Sequence, residues 1–269
     1  MKRIGLYMGL IVGAILFLYP FLWMVSATIK PEMEIGGFHL IPEQLSWENY
    51  RLVFTKIPIG RAFFNSIFVS TTATAFAILF GAVVGYALSR LFFPGRDLIF
   101  NLILFTLMIP APLTLIPLYT LIVRLGWVDT YQALIVPAMV SGFGILLFRQ
   151  FFRTIPQSLI EAARLDGCTE WQILFRIVLP LSKPVVTTVG ILTFMGIWND
   201  LLWPLLVIHD QQLMTMPQMV ALFSIGGLAE ARLGLQLAAA TLLALPVIIA
   251  YTVFQRQFIQ SMASSGLKG

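Results

Sequence analysis

The chain alternates between long stretches without a single charged residue and short clusters that hold nearly all the charge. The charge-free windows run 4–29, 62–89, 98–123, 130–148, 184–199 and 233–255, together about half of the chain. A helix needs about 20 apolar residues, at ~1.5 Å rise each, to cross the hydrocarbon core of a bilayer. Five windows reach that length or fall one residue short. The sixth reaches it by continuing past Asp200 through Leu201, Leu202, Trp203, Pro204 and Leu205 to Ile208. The pattern predicts six membrane-spanning helices. Strands of a β-barrel would alternate apolar and polar positions over ~10 residues, and these windows do not. The stretch 211–229 contains Gln211, Gln212, Pro217, Gln218, Gly226 and Gly227, so its apolar run suits an interfacial or re-entrant segment better than a seventh span.

Composition agrees. Of 269 residues 59% are hydrophobic and 11% charged, with a mean hydropathy of +0.91. A soluble domain carries roughly a quarter charged residues because its surface faces water. A water-soluble enzyme, a disordered chain and a collagen-like chain are thereby excluded. The first window follows Met1-Lys2-Arg3 and so has the flank of a secretory signal. Such signals have an apolar region of only ~7–15 residues, whereas this one runs from Ile4 to Ile29 through Pro20, Phe21 and Trp23. A retained first helix is expected.

Lys and Arg set the orientation. With the N-terminus inside, the inner segments hold 11 basic residues against Asp97, Glu161, Asp166 and Glu170, a net +7. The outer segments then sum to −1, and Asp200, within a span, completes the overall +5. Both termini are expected in the cytoplasm of a multi-pass inner-membrane protein. The basic balance reflects this topology, and no nucleic-acid partner is needed to explain it.

The longest inner segment, 149–183, is richer than a connector requires. Thr154 can cap a helix whose first turn accepts Pro156, and Gly167 is placed to stop it in a left-handed conformation. Thr169 and Gln172 have the spacing of a capping box for a second helix, which must end near Pro180. Ser182 can cap the next membrane helix. Leu159, Ile160 and Ala163 form one apolar stripe, and Trp171, Leu174, Phe175 and Val178 a second. These stripes suit either packing on the chain's own bundle or docking to a partner at the inner face.

Here the residues resemble a known family. Glu161-Ala162-Ala163, three residues, Gly167, nine residues and Ile177-x-Leu179-Pro180 reproduce the EAA signature without a gap. That signature marks membrane subunits of ATP-binding-cassette importers that work with a solute-binding protein. Cys168 departs mildly, standing where a small residue such as alanine is usual. Further stretches resemble the carbohydrate branch, in particular the second membrane subunit of maltose-type importers. These are Trp47-Glu48-Asn49-Tyr50, Trp198-Asn199-Asp200 with Trp203-Pro204-Leu205, and the ending Gly266-Leu267-Lys268-Gly269. Ser261 and Ser265 stand where that branch often has glycine.

The resemblance implies an all-α type I importer fold. A first helix and outer loop would occupy 1–61, a core transmembrane domain 62–256 with its coupling loop at 153–184, and a cytoplasmic tail 257–269. It implies a coupling helix over 155–166 seated in a cleft of the ATPase subunit. Glu161 would make charge-assisted contacts there, Ala162 and Ala163 would allow close approach, and Gly167 would make the turn. Asp166 would brace the loop and Pro180 would bound it. Implied partners are a homologous membrane subunit, two copies of an ATPase, an extracytoplasmic solute-binding protein and the bilayer. The segment 209–231 would reach the binding protein, and the tail the ATPases.

The chain has no Gly-x-x-x-x-Gly-Lys-Ser/Thr loop, so ATP and Mg²⁺ are expected on a separate subunit and no cofactor or metal on this one. His39 and His209 are the only histidines and lie far apart, so no catalytic set is expected. Asp200 is the one charge inside a predicted span. It either lies near the interface or lines the translocation path with Trp198 and Asn199. Pro110, Pro112 and Pro117 predict a kinked third helix. Asn65, Ser66, Thr71, Thr72 and Thr74 fit helix–helix hydrogen bonding better than substrate contact.

Overall fold

A computed structural model describes residues 2–37, 39–225 and 232–266. Every regular element among them is helical. The chain divides into two compact units, 1–63 with 215–250, and 64–214 with 251–269.

In the first unit α1 runs Lys2–Thr28 and carries Pro20. Its apolar side chains are exposed along most of its length, as a helix facing lipid or another subunit requires. The outer segment is tied down by polar contacts. Asn49, at the start of α2 (Glu48–Lys56), is buried and donates to Thr28 O (3.1 Å) and Lys30 O (3.0 Å). Tyr50 meets the Thr28 hydroxyl at 2.9 Å, and the buried Lys30 donates to His39 O. So Asn49 and Tyr50 of the Trp47–Tyr50 stretch are structural. Glu32 accepts from the backbone N–H groups of Leu233 (2.5 Å) and Gly234 (3.1 Å), satisfying orphan donors at the start of the last helix. A Cβ at Gly234 would stand 2.6 Å from Ile35 Cδ1, so a larger residue there would have to displace the Ile35 and Asn49 side chains.

The long helix α3 (Ile59–Arg90) supplies most of its length to the second unit. There follow α4 (Arg96–Leu107), α5 (Ala111–Arg124), α6 (Tyr131–Ile135), α7 (Gly142–Thr154), α8 (Gln157–Leu165), α9 (Glu170–Ile173), α10 (Leu179–Leu181), α11 (Lys183–Trp198) and α12 (Leu202–Val207). Ser141 caps α7 by accepting from Gly144 N (3.1 Å). Two apolar clusters organise this unit. One gathers Ala82, Tyr86, Phe148, Phe152, Ile160, Ile173, Leu174 and Val178 around the α7–α9 region. The other joins Val69, Ala73, Ile122, Ala133, Trp203 and Val207. The remaining elements are α13 (Met216–Ile225) and α14 (Leu233–Gly266), the latter carrying Pro246.

Three stretches are long and apolar enough to cross a membrane, Gly5–Thr28, Ile59–Arg90 and Tyr131–Thr154. Two bent pairs raise the number to five if each is one crossing. The window 98–123 is therefore not a kinked single helix. α4 and α5 meet at 103° around Met108–Pro110, because proline has no N–H to donate and disfavours helical backbone in the residue before it. The window beginning at 184 likewise breaks. α11 ends at Trp198 and α12 starts at Leu202, so Asp200 lies in a gap between helices rather than inside one. Among the described residues α13 has ten, too few to cross by themselves. The glycine pair at 226–227 and the ending 267–269 lie outside the described residues, as do the side chains of 253–266.

Candidate functional site

The loop between α7 and α11 is a rigid pair of short helices. α7 ends at Thr154, whose hydroxyl turns back to donate to Phe151 O (2.7 Å). Thr154 therefore does not cap the next helix. Ile155 is extended, Pro156 stands at the N-cap, and the helix expected over 155–166 occupies Gln157–Leu165.

Its C-terminus is closed by a Schellman motif. Gly167 has φ +79°, its N–H donates to Arg164 O (3.0 Å), and Cys168 N donates to Ala163 O (3.0 Å). Cys168 packs against the inner cluster to which Ala163 belongs. Thr169 and Gln172 then form a reciprocal capping box at 3.3 and 2.8 Å. After α9 the chain makes a π-helical turn over Leu174–Val178 before α10, which contains Pro180 and ends at Leu181. Ser182 does not cap α11. Its hydroxyl donates back to Val178 O at 2.6 Å, and the axis bends by 82° at that point.

α8 is amphipathic. Ile160 and Ala163 are buried, while Glu161, Ala162, Leu165, Asp166 and Gly167 are exposed. The Glu161 carboxylate accepts from Gln157 Nε2 at 3.2 Å. Ala162 leaves the exposed face flat beside it. Asp166 does not brace the loop through its side chain. Its backbone N–H donates to Ala162 O (2.9 Å), and no side-chain hydrogen bond of Asp166 is found among the described residues.

Bracing comes from residues the sequence reading passed over. Arg164 Nε donates to Glu170 Oε1 at 2.8 Å, and that carboxylate raises the guanidinium pKa further. Tyr86, from α3, donates to the other Glu170 oxygen at 2.6 Å. The buried Arg90, also from α3, donates to Phe152 O, Ile155 O and Gln157 Oε1 (2.7 Å to the last). The one available signal was the i, i+4 spacing of Tyr86 and Arg90 at the end of a charge-free window.

The second apolar stripe splits. Leu174 and Val178 are buried, but Trp171 and Phe175 face outward, stacked 6.0 Å apart at 8°. The π-helical turn breaks the 3.6-residue register that would have put all four on one side.

The tentative path residues separate too. Trp198 is fully buried and stacked on Phe194 (5.9 Å), so its ring does not face an open path. Asn199 is exposed and donates to Met195 O (2.8 Å). Asp200 is half-buried and accepts from Trp203 N (3.3 Å) at the start of α12. Asn65 is fully buried, donating to Gln212 O and Met214 O (2.9 Å each) and accepting from the Tyr131 hydroxyl (2.7 Å). It is structural glue, as its place in an apolar helix suggested.

An all-helical, multi-pass membrane chain carrying one rigid, doubly capped helix pair on a loop is the architecture of a transport permease subunit. The comparison with known proteins makes this specific: residues 77–264 match the family of binding-protein-dependent transport system inner membrane components, and the chain belongs to it. It is 35% identical over 261 residues to the arabinooligosaccharides transport system permease protein AraQ of Halalkalibacterium halodurans, covering 95% of this chain and 93% of that one. It is 32% identical to the trehalose transport system permease protein SugB of Mycobacterium tuberculosis, covering 94% and 93%. With the sn-glycerol-3-phosphate transport system permease protein UgpE of Pectobacterium atrosepticum it shares 33% identity, covering 95% and 94%. Among solved structures it resembles a chain of a bacterial ABC transporter involved in the import of the acidic polysaccharide alginate. The TM-score is 0.82 at 25% identity, covering 95% of this chain and 96% of that one.

Proposed function

We propose that this chain forms the translocation path of an ATP-driven importer for a sugar or oligosaccharide, with α8 as its coupling helix. The complex would add a homologous membrane subunit, two copies of an ATPase that hold ATP and Mg²⁺, and an extracytoplasmic solute-binding protein. The chain would cross the membrane six times, through α1, α3, α4–α5, α6–α7, α11–α12 and α14, with both termini in the cytoplasm. Interrupted crossings are tolerated where neighbouring helices re-satisfy the freed backbone groups. The +7 inner charge supports this orientation.

The observation that carries the reading is the loop itself. Glu161, Ala162 and Ala163 of the EAA signature fall on a nine-residue helix that Gly167 closes in a Schellman motif; a capping box follows, and Pro180 lies beyond it in α10. A lever couples two distant sites only if it moves as a body between two states, and this helix is built stiffly enough to do so. Its flat exposed face, centred on Glu161 and Ala162, is what a cleft in an ATPase would receive. Asn199 and Asp200, at the α11–α12 break, are the polar groups of the path that suit sugar hydroxyls.

The similarity to AraQ and SugB, permease proteins of arabinooligosaccharide and trehalose transport systems, supports a saccharide cargo. UgpE supports a second reading, an importer of the same build for a polyol or sugar phosphate. Substrate-stimulated ATP hydrolysis by the assembled complex, measured across sugars and sugar phosphates, decides between them. Stimulation by neutral oligosaccharides is the expected outcome. Stimulation by phosphorylated solutes alone favours the second reading, and by neither class overturns both. Replacing Glu161 and Gly167 together should abolish uptake and loosen the ATPase while the chain still inserts.

A further inference from the structure

Among the described residues α3 is the long helix that neither contains proline nor breaks. α1 holds Pro20, α14 holds Pro246, and the stretches 96–124, 131–154 and 183–207 are each interrupted. Toward one end α3 is fixed by Asn65, whose amide holds the carbonyls of Gln212 and Met214 and accepts from Tyr131. Tyr86 lies 21 residues on, about 30 Å along the axis. Between these points Gly81 and Gly85 let α3 press against α7, where a Cβ on Gly85 would stand 2.7 Å from Phe148 Cβ.

At the far end Tyr86 and Arg90 sit one turn apart on one face. Arg90 takes the carbonyls of Phe152, which also accepts from Ile155 N, and of Ile155 at the end of α7, and adds the side chain of Gln157 at the first residue of α8. Gln157 passes the contact to Glu161. Tyr86 grips Glu170, which also binds Arg164 near the last turn of α8. α8 is therefore held at both ends from a single face of α3. Beyond these polar contacts α8 is held by the burial of Ile160 and Ala163 in the inner cluster and by two backbone joints, the extended Ile155-Pro156 pair and the left-handed Gly167.

We propose that Tyr86 and Arg90 are positioning residues that lock α8 to α3, so that the segment from the Asn65 clasp to α8 moves as one rigid body. A displacement of the 209–214 segment is then delivered to the coupling helix without being absorbed at the loop joints. The use of this lock in transport rests on the reading of α8 as the coupling helix.

The test uses spin labels on the exposed positions Ser158 of α8 and Ala75 of α3, in a Cys168→Ser background, in the assembled complex with its ATPase. The Ser158–Ala75 distance should be narrowly distributed and identical in the nucleotide-free and ATP–vanadate-trapped states. The Tyr86→Phe variant, and more strongly Tyr86→Phe with Arg90→Gln, should broaden it. Glu170→Gln, which keeps a carbonyl oxygen for Tyr86, should broaden it less than Glu170→Ala, a graded response that a fold-disrupting substitution would not show. A wild-type distance that changes on trapping, or a Tyr86→Phe/Arg90→Gln variant as narrow as wild type, overturns the lock. Normal ATPase co-purification by the Glu161 and Gly167 double variant overturns the coupling reading instead, so the two failures are distinct.

Discussion

Replacing Gly167 with alanine separates two reasons a glycine can be required. A Cβ built at this position meets nothing within 4 Å, so no atom stands in its way. The backbone is at φ +79°, a region where an L-residue with a Cβ costs roughly 1–2 kcal/mol. The whole penalty is conformational, and it falls on the Schellman turn that closes α8. If that turn opens locally, a loss of 1–2 kcal/mol raises its open population about 5–30-fold. Hydrogen exchange at the amides of Asp166, Gly167 and Cys168 should accelerate by that factor in Gly167→Ala. Distant amides, such as those in the middle of α3, should not change. Gly167→Asn should recover much of the protection, because asparagine tolerates the left-handed region better. Exchange in Gly167→Ala equal to wild type would refute the claim that the turn depends on positive φ. Equal acceleration in the alanine and asparagine variants would point to sterics and contradict the open space around the residue.

Gly85→Ala should lower the melting temperature of the detergent-solubilised protein through a clash with Phe148 worth about 1–3 kcal/mol. Gly60→Ala on the same helix, with nothing within 4 Å, should be neutral or mildly stabilising; equal effects of the two would contradict the packing account. Asn65→Ala should cost about 1–3 kcal/mol in the same assay, because it strands the carbonyls of Gln212 and Met214, and an unchanged melt would remove Asn65 from the scaffold. Asp129 accepts from the backbone N–H groups of Asp210 (2.8 Å) and His209 (2.5 Å), which hold its carboxyl below the usual range. A depressed carboxylate contributes stability above its unfolded value and loses it as pH falls through the folded one. Protection of those two amides should therefore decay below about pH 3.9, and Asp129→Asn should abolish this acid dependence; a decay shared by the variant refutes the assignment.

The charge-free windows located the apolar stretches, because burying an unpaired charge in hydrocarbon is costly whatever the fold. They could not show where a helix breaks within a window. The α4–α5 bend and the α11–α12 gap depend on proline stereochemistry and on local capping, for which Pro110 and Pro204 were the visible hints. Local rules read the inner loop well where the partners are close in sequence. Gly167 stops α8 and Thr169–Gln172 starts α9 as their spacing implied. Thr154 and Ser182 failed as caps because each hydroxyl found a carbonyl in the preceding turn. Tyr86 and Arg90 were not legible as braces. Their partners lie more than 60 residues away in sequence, and only the fold brings them together.

The central claim is that α8 is the contact through which ATP hydrolysis drives this permease. It is tested most directly by placing a cysteine at Ser158 in the Cys168→Ser background and cross-linking the assembled complex with a short bifunctional thiol reagent. The account predicts a covalent adduct with the ATPase subunit, retained when ATP–vanadate is trapped and lost when Glu161 and Gly167 are both replaced. An assembled, ATP-hydrolysing complex in which Ser158→Cys reaches no ATPase residue, while a cysteine elsewhere on the inner face does, would contradict it.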